Sequence, residues 1–156
     1  MAKQPDARYD YSPLIRTAIF TGLRQGELHG LQWQDVDLGE GVLRVERQWH
    51  RTGVYGLPKT PSSVRRVSLS AEMTKYLAAL KNRSKFSGDG DPVFASRKGT
   101  PLRHRNVTSR GFAPAAKLAG LELSIHDARH AFASRMISRG IEWSRSRAFL
   151  GIGIHA

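Results

Sequence analysis

The chain has no cysteine, few acidic residues and no long apolar run, and these absences limit the classes of protein to which it can belong. Without cysteine among its 156 residues, disulfide frameworks and thiolate metal sites are excluded. No apolar stretch approaches the roughly 20 residues that a membrane-spanning helix needs. Only 13 acidic residues stand against 25 lysines and arginines, which gives a net charge of +12. This imbalance favours a polyanionic partner, most commonly nucleic acid, although a basic protein kept in solution by its charge has the same composition.

The length and the apolar content favour one folded domain. Hydrophobic residues make up 40% of the chain and charged residues 24%, which is typical of globular proteins. We expect residues 1–11 to be a polar linker and residues 12–156 to form the domain. Residues 1–6 lack the apolar segment of a signal peptide. The sequence therefore predicts a cytoplasmic protein that has no membrane partner.

Apolar periodicity predicts a series of helices. Ser12 and Pro13 have the form of an N-cap and a first helical turn, and Gly22 would end that helix. The other expected helices lie near residues 25–31, after Ser70, at residues 106–119 and after Ser124, whose spacing from Asp127 forms a capping box.

Period-two alternation predicts a small sheet beside these helices. Residues 43–49 alternate apolar and polar side chains, which indicates one strand. Gly53 and Gly56 mark a turn after it, and Val67 and Leu69 indicate a further strand. The predicted fold class is therefore mainly α with a small three-stranded antiparallel sheet.

Arg24 is the first candidate for chemistry. It lies in a turn between two expected helices, flanked by Gly22 and Gly26, where a ligand can approach the backbone. Glu27, three residues later, could hold the Arg24 guanidinium through a bidentate pair. A surface ion pair at the start of a helix explains the same pattern, so the pattern alone leaves both explanations open.

His126 and Arg129 are the second candidates. A spacing of three residues places both on one face of a helix. The capping box puts His126 in the first turn, where the helix dipole favours an anion. An imidazole and a guanidinium on one face suit a phosphate, whereas a solvated polar face would give the same spacing. We expect His130 to be structural and to pack beneath this face.

Lys59 lies between Pro58 and Pro61, in a loop that we place at a hairpin tip. A lysine there can deliver a proton or a charge into a DNA groove. A solvated surface charge is the commoner explanation for a lysine at such a position. The loop by itself does not decide between the two.

Taken together and in order, these segments resemble the tyrosine recombinase, or phage integrase, family. The resemblance runs from about residue 14 to residue 151. The matching segments are residues 21–28 (TGLRQGEL), the family's first arginine box, residues 58–60 (PKT) with 65–69 (RRVSL), its β-hairpin lysine and following strand, and residues 126–134 (HDARHAFAS), its second box.

The resemblance implies a DNA breaking-rejoining fold and a reaction. Arg24 and Arg129 would hold the scissile phosphate and stabilise its pentacoordinate transition state. His126 would assist proton transfer, and Lys59 would act as the general acid toward the leaving 5′-oxygen. A tyrosine would form a covalent 3′-phosphotyrosyl link. No metal ion or small-molecule cofactor is implied, because two guanidiniums would supply the positive charge. Glu27 and His130 would be supporting residues.

The sequence departs from the family near its C-terminal end. Ile152 follows Leu150 and Gly151, where the family has His or Trp. The nucleophilic tyrosine would be expected shortly afterwards, beyond Ala156. The tyrosines that are present, Tyr9, Tyr11, Tyr55 and Tyr76, match no nucleophile position.

We therefore expect a truncated integrase catalytic domain over residues 12–156, C-terminally incomplete, with residues 1–11 as a linker remnant. It would engage double-stranded DNA and other integrase protomers near the nucleoid, and these residues alone would not cleave a strand. The alternative function is a catalytically dead DNA-binding or regulatory remnant of an integrase.

Overall fold

The computed structural model describes residues 9–122 and 124–138. The α-helices are α1 (Ser12–Thr21), α2 (Gln25–Gly30), α3 (Ala71–Arg83), α4 (His104–Asn106), α5 (Ala113–Leu118) and α6 (Ile125–Ser138). The strands are β1 (Val36–Asp37), β2 (Val42–Val45), β3 (Gln48–Trp49), β4 (Tyr55–Gly56) and β5 (Arg65–Ser68). Trp33–Asp35 and Pro61–Ser63 are 3₁₀ turns, and Val107–Phe112 is π-helical. Across the described ranges, no helix is both long and apolar enough to cross a bilayer.

The ends of α1 set the position of the residues that follow it. Ser12 is the first helical residue and not the cap, because the Asp10 carboxylate accepts its backbone N–H over 2.9 Å. The prediction of Ser12 as the N-cap was therefore wrong. Gly22 ends the helix as predicted, with a φ of 67° that strains other residues. The turn buries Leu23 and places Arg24 at the start of α2.

A three-stranded antiparallel sheet is present, but it uses only part of the strand predicted at residues 43–49. The strand order is β1-β2-β5, with Leu43 opposite both Val36 and Val67. The predicted strand breaks after Val45, where Arg47 turns to pair with the buried carboxylate of Asp35. Strand β3 then pairs with β4 in a separate two-stranded sheet.

The first three helices and the inner face of the three-stranded sheet share one apolar core. The Ser70 hydroxyl accepts the Met73 N–H over 3.1 Å and caps α3 as predicted. The largest buried apolar side chains come from these elements, from the turns after α1 and α2 and from the segment after α3, and they include Leu14, Leu23, Leu28, Trp33, Leu43, Met73, Leu77 and Phe94. This core fixes α1, α2 and β5 relative to one another.

The β3–β4 hairpin is held between α2 and α4. A Cβ placed on Gly30 would lie 2.8 Å from backbone atoms of Gln48, so the two elements pack backbone to backbone. His29 of α2 stacks on His104 of α4 with ring centroids 4.3 Å apart. The His104 ring nitrogen lies 2.9 Å from the Trp49 carbonyl oxygen. These contacts set where the hairpin leaves the core.

Helix α6 packs against α1 and starts at the predicted capping box. The Ser124 N–H donates to the Asp127 carboxylate over 2.6 Å, and the Asp127 N–H donates back to the Ser124 hydroxyl over 3.2 Å. Ala128 is buried on the inner side of the helix. The predictions for residues 1–8 and for Ile152 lie outside the described residues.

Candidate active site

Arg24 lies at the N-terminal end of α2. Its backbone N–H donates to the Glu27 carboxylate over 2.8 Å, while its Nη1 is 3.5 Å from that carboxylate. Nη1 also donates to the Ser63 hydroxyl over 2.9 Å. The predicted ion pair between Arg24 and Glu27 is therefore present through Nη1, and both oxygens of the same carboxylate also accept from Arg65.

Arg65 is the bidentate partner of Glu27. Its two terminal nitrogens donate to the two carboxylate oxygens over 3.0 and 3.1 Å. Nη1 also donates to the Ser63 carbonyl over 2.9 Å. Sequence analysis missed Arg65 as a site residue, although it alternates with Val67 and so falls on the inner face of β5. An arginine on a buried face needs an acidic partner, and that was the available signal.

Arg129 reaches the same region from α6. Its Nε donates to the Gly22 carbonyl over 2.9 Å. Burial, and then the positive charge of nearby Arg24, lowers the pKa of Arg129 to about 10, which leaves the guanidinium charged at neutral pH. Arg65 acts in the same direction and Glu27 opposes it. Arg24, Arg65 and Arg129, from three distant parts of the chain, thus form an arginine cluster around the Glu27 carboxylate.

His126 and His130 lie on the exposed surface of α6. Their Nε2 atoms are 3.1 Å apart and their rings meet edge to face, so a neutral ring can accept a hydrogen bond from the other. The expectation that His130 packs beneath the face was wrong, because its side chain is exposed. His126 precedes Arg129 by three residues and shares its helix face.

Lys59 is exposed in the segment after β4, not at the hairpin tip, which residues 50–54 form. Thr60 follows it and leads into the 3₁₀ turn that ends at Ser63. Because Ser63 contacts Arg24, the chain bearing Lys59 is anchored beside the arginine cluster.

The arginine cluster can bind an oxyanion. Guanidinium groups present planar, paired donors that match carboxylate and phosphate oxygens. Arg24 and Arg65 both contact the buried carboxylate of Glu27, and Arg129 lies near enough for their positive charges to add to the effect of burial in lowering its pKa, so this partly buried region concentrates guanidinium donors. Among the described residues, no three side chains of the metal-ligating types group together.

A model of the phage integrase family matches residues 1–151 of the chain. The chain belongs to the phage integrase family. This confirms the family that the three sequence segments indicated. The structure brings the first and the last of those segments together, since Arg24 comes from the first and Arg129 from the last.

Curated relatives of this phage integrase family member include integrases and tyrosine recombinases. The ICEBs1 integrase of Bacillus subtilis is 28% identical over 96% of this chain and 43% of its own length. A tyrosine recombinase XerC of Pseudomonas fluorescens is 30% identical over 93% of this chain and 44% of its own length. The prophage integrase IntR of Escherichia coli is 40% identical over 48% of this chain and 18% of its own length. The chain thus spans less than half the length of these relatives.

Solved structures share the fold. The Tn1549 transposon integrase, in complex with transposon right end DNA, superposes with a TM-score of 0.74 at 26% identity, covering 89% of this chain and 50% of that one. The XerA recombinase gives a TM-score of 0.69 at 22% identity, covering 96% of this chain and 57% of that one. The predicted tyrosine-recombinase catalytic-domain fold is confirmed.

Proposed function

We propose that this chain is the DNA-binding catalytic domain of a site-specific recombinase that breaks and rejoins DNA through a 3′-phosphotyrosyl intermediate. The observation that carries the proposal is the convergence of Arg24, Arg65 and Arg129 on one point of the fold. The Tn1549 integrase, which shares this fold, was solved with transposon end DNA. Residues 12–156 would be the catalytic domain and residues 1–11 a linker, acting in the cytoplasm beside the nucleoid.

In this proposal Arg24 and Arg129 bind the non-bridging oxygens of the scissile phosphate. The pentacoordinate transition state carries more negative charge on those oxygens than the ground state does, so fixed guanidiniums bind it more tightly. The Gly22 carbonyl orients Arg129, and Ser63 orients Arg24. Because the guanidiniums supply the positive charge, the proposed reaction uses no metal ion and no cofactor.

Proton transfer is assigned to Lys59 and His126. The Lys59 ammonium would donate a proton to the leaving 5′-oxygen as the phosphodiester bond breaks. His126 would hydrogen-bond the phosphate or move a proton there, with His130 as its partner across the 3.1 Å contact. Glu27 would keep the arginines in place without touching DNA.

The nucleophile would be a tyrosine from outside these 156 residues, on a longer chain or on a second protomer. Tyr9 is unsuited to the role, because its hydroxyl donates to the Ala95 carbonyl over 2.7 Å and burial raises its pKa to about 12. With a nicked suicide DNA substrate, we expect these residues alone to form no covalent protein–DNA adduct. A protomer that carries the tyrosine would restore it if cleavage occurs in trans, and an adduct on Tyr9, Tyr11, Tyr55 or Tyr76 would refute this assignment.

Equilibrium binding to duplex DNA tests the first requirement of the proposal, which is that this chain binds DNA. We expect binding that weakens steeply as salt increases, because each neutralised phosphate releases counterions. Arg129→Gln should lower the affinity and reduce the log–log salt slope by about one. Arg44→Gln is the matched control, since Arg44 lies on the exposed side of β2 and binds the Gln34 carbonyl. Absence of duplex binding at low salt would contradict the proposal.

A further inference from the structure

Ser63 connects the segment that bears Lys59 to the arginine cluster. Ser63 is fully buried at 0% exposure, at the end of the Pro61–Ser63 turn. Its hydroxyl oxygen accepts the Arg24 Nη1–H over 2.9 Å. The same oxygen lies 2.9 Å from the Thr60 hydroxyl, and Thr60 directly follows Lys59.

Two backbone contacts hold this turn in place. The Ser63 N–H donates to the Thr60 carbonyl over 2.9 Å, which closes the turn. The Ser63 carbonyl accepts Nη1 of Arg65 over 2.9 Å, and Arg65 is itself fixed by Glu27. The position of the Ser63 hydroxyl is therefore set independently of any ligand.

The hydrogen-bonding capacity of one hydroxyl fits both contacts at once. A serine hydroxyl has two acceptor lone pairs and one proton. It can accept from Arg24, which has no acceptor of its own, and donate its proton to Thr60. A shift of the turn by about 1 Å would take the Arg24 contact beyond hydrogen-bonding distance. A movement of the turn that displaces Ser63 therefore breaks its contact with Arg24.

We propose that Ser63 is a positioning residue that couples the Lys59 segment to Arg24 through the Thr60–Ser63–Arg24 hydrogen bonds. Under the proposed function, on which this inference rests, a phosphate that fixes Arg24 also fixes the segment carrying the general acid. The coupling is reciprocal, so a change at Arg24 must alter the Lys59 segment even without DNA. Because this effect can be measured without DNA, the inference and the proposed function can be tested separately.

The first test is amide hydrogen exchange on the DNA-free protein, followed at the Ser63 and Val64 amides, which donate to the Thr60 and Pro61 carbonyls. Thr60→Val removes the exposed hydroxyl and keeps the side-chain shape, whereas Thr60→Ser keeps the hydroxyl. We expect Arg24→Gln to speed exchange at these amides about tenfold, the size for one lost hydrogen bond to a charged group. Thr60→Val loses neutral hydroxyl contacts to Ser62 and Ser63 and should speed exchange about fivefold. Thr60→Ser should match the unaltered chain. Unchanged exchange in Arg24→Gln would overturn the coupling.

The second test is a double-mutant cycle on binding to a fluorescently labelled DNA duplex. Ser63→Ala should weaken binding about tenfold in the unaltered chain but have little effect in the Arg24→Gln background, because Ser63 acts through Arg24. An equal loss in both backgrounds would show a merely structural role for Ser63 and refute the inference. If no variant binds duplex DNA, the proposed function fails, while the exchange measurements still decide the coupling.

Discussion

Arg65 and Glu27 form a buried ion pair in which each terminal nitrogen of the guanidinium meets one carboxylate oxygen, at 3.0 and 3.1 Å. The two side chains are only 7% and 1% exposed. This ion pair joins strand β5 to helix α2, close to Arg24 at the N-terminal end of that helix. The geometry of the candidate active site depends on this contact as much as on the residues that would touch DNA.

Neutralising Glu27 should therefore destabilise the fold. Glu27→Gln leaves the buried Arg65 guanidinium without a counter-charge, and we expect the free energy of unfolding to fall by about 3–5 kcal/mol. Urea denaturation measures this. Glu72→Gln is the control, because the exposed Glu72–Arg16 ion pair should contribute no more than about 1 kcal/mol. Similar losses in both variants would contradict a special role for the buried pair.

The contact between α2 and β3 predicts a second stability difference. Gly30→Ala would force a methyl group to within 2.8 Å of the Gln48 backbone, which cannot rotate away as a side chain can. We expect a loss of about 1–3 kcal/mol, measured by thermal or urea unfolding. In Gly90→Ala the added methyl meets nothing within 4 Å, so that variant should unfold like the unaltered chain.

The stacked histidines predict how stability depends on pH. Burial, and then the neighbouring His104, lowers the pKa of His29 from 6.5 to about 3, and burial also lowers the pKa of His104. The unfolded chain then binds more protons than the folded one below about pH 6.5. The free energy of unfolding should consequently fall as the pH drops from 6.5 towards 3, at up to about 1.4 kcal/mol per pH unit for His29, and His104 acts in the same direction.

A variant can assign this pH dependence to the stack. His29→Phe keeps an aromatic ring but removes one titrating group, so its stability should fall less steeply below pH 6.5. Gly90→Ala, which retains both stacked histidines and adds a methyl group with nothing within 4 Å, is the control and should keep the original slope. Urea unfolding at a series of pH values makes the comparison, and identical slopes in all three proteins would refute the assignment.

Arg129→Lys separates charge from geometry in DNA binding. Lysine retains the positive charge but cannot reproduce the Nε hydrogen bond to the Gly22 carbonyl together with bidentate contacts to phosphate. We expect lower affinity for duplex DNA with an unchanged log–log salt slope, measured by fluorescence anisotropy. Arg44→Lys should change neither quantity. A reduced slope for Arg129→Lys would mean that the lysine no longer reaches the phosphate.

Local signals predicted those features whose cause lies within a few residues. The capping residues Ser70 and Ser124 and the helix end at Gly22 are of this kind, because a cap involves one turn of backbone. The break after Val45 was not predictable from side-chain alternation. Alternation reports which face is buried but not which strand lies alongside.

For the candidate site too, residues in recognisable sequence segments could be predicted, whereas contacts between distant segments could not. Arg24 and Arg129 could be selected because they lie in segments with a recognisable pattern. The bidentate partner of Glu27 could not, since residues 27 and 65 are brought together by the fold and not by sequence spacing. The stack of His29 on His104 likewise joins residues with no shared local pattern.

The bond between Arg129 and the Gly22 carbonyl spans 107 residues of sequence. Helix α6 follows every other described element in the chain, so a nascent polypeptide emerging from the ribosome can form its core and its Glu27–Arg65 pair before Arg129 has been exposed. The arginine cluster would then be completed only when α6 docks on α1. A partly synthesised domain would therefore present an incomplete anion site, which becomes complete only after α6 has been translated and has docked.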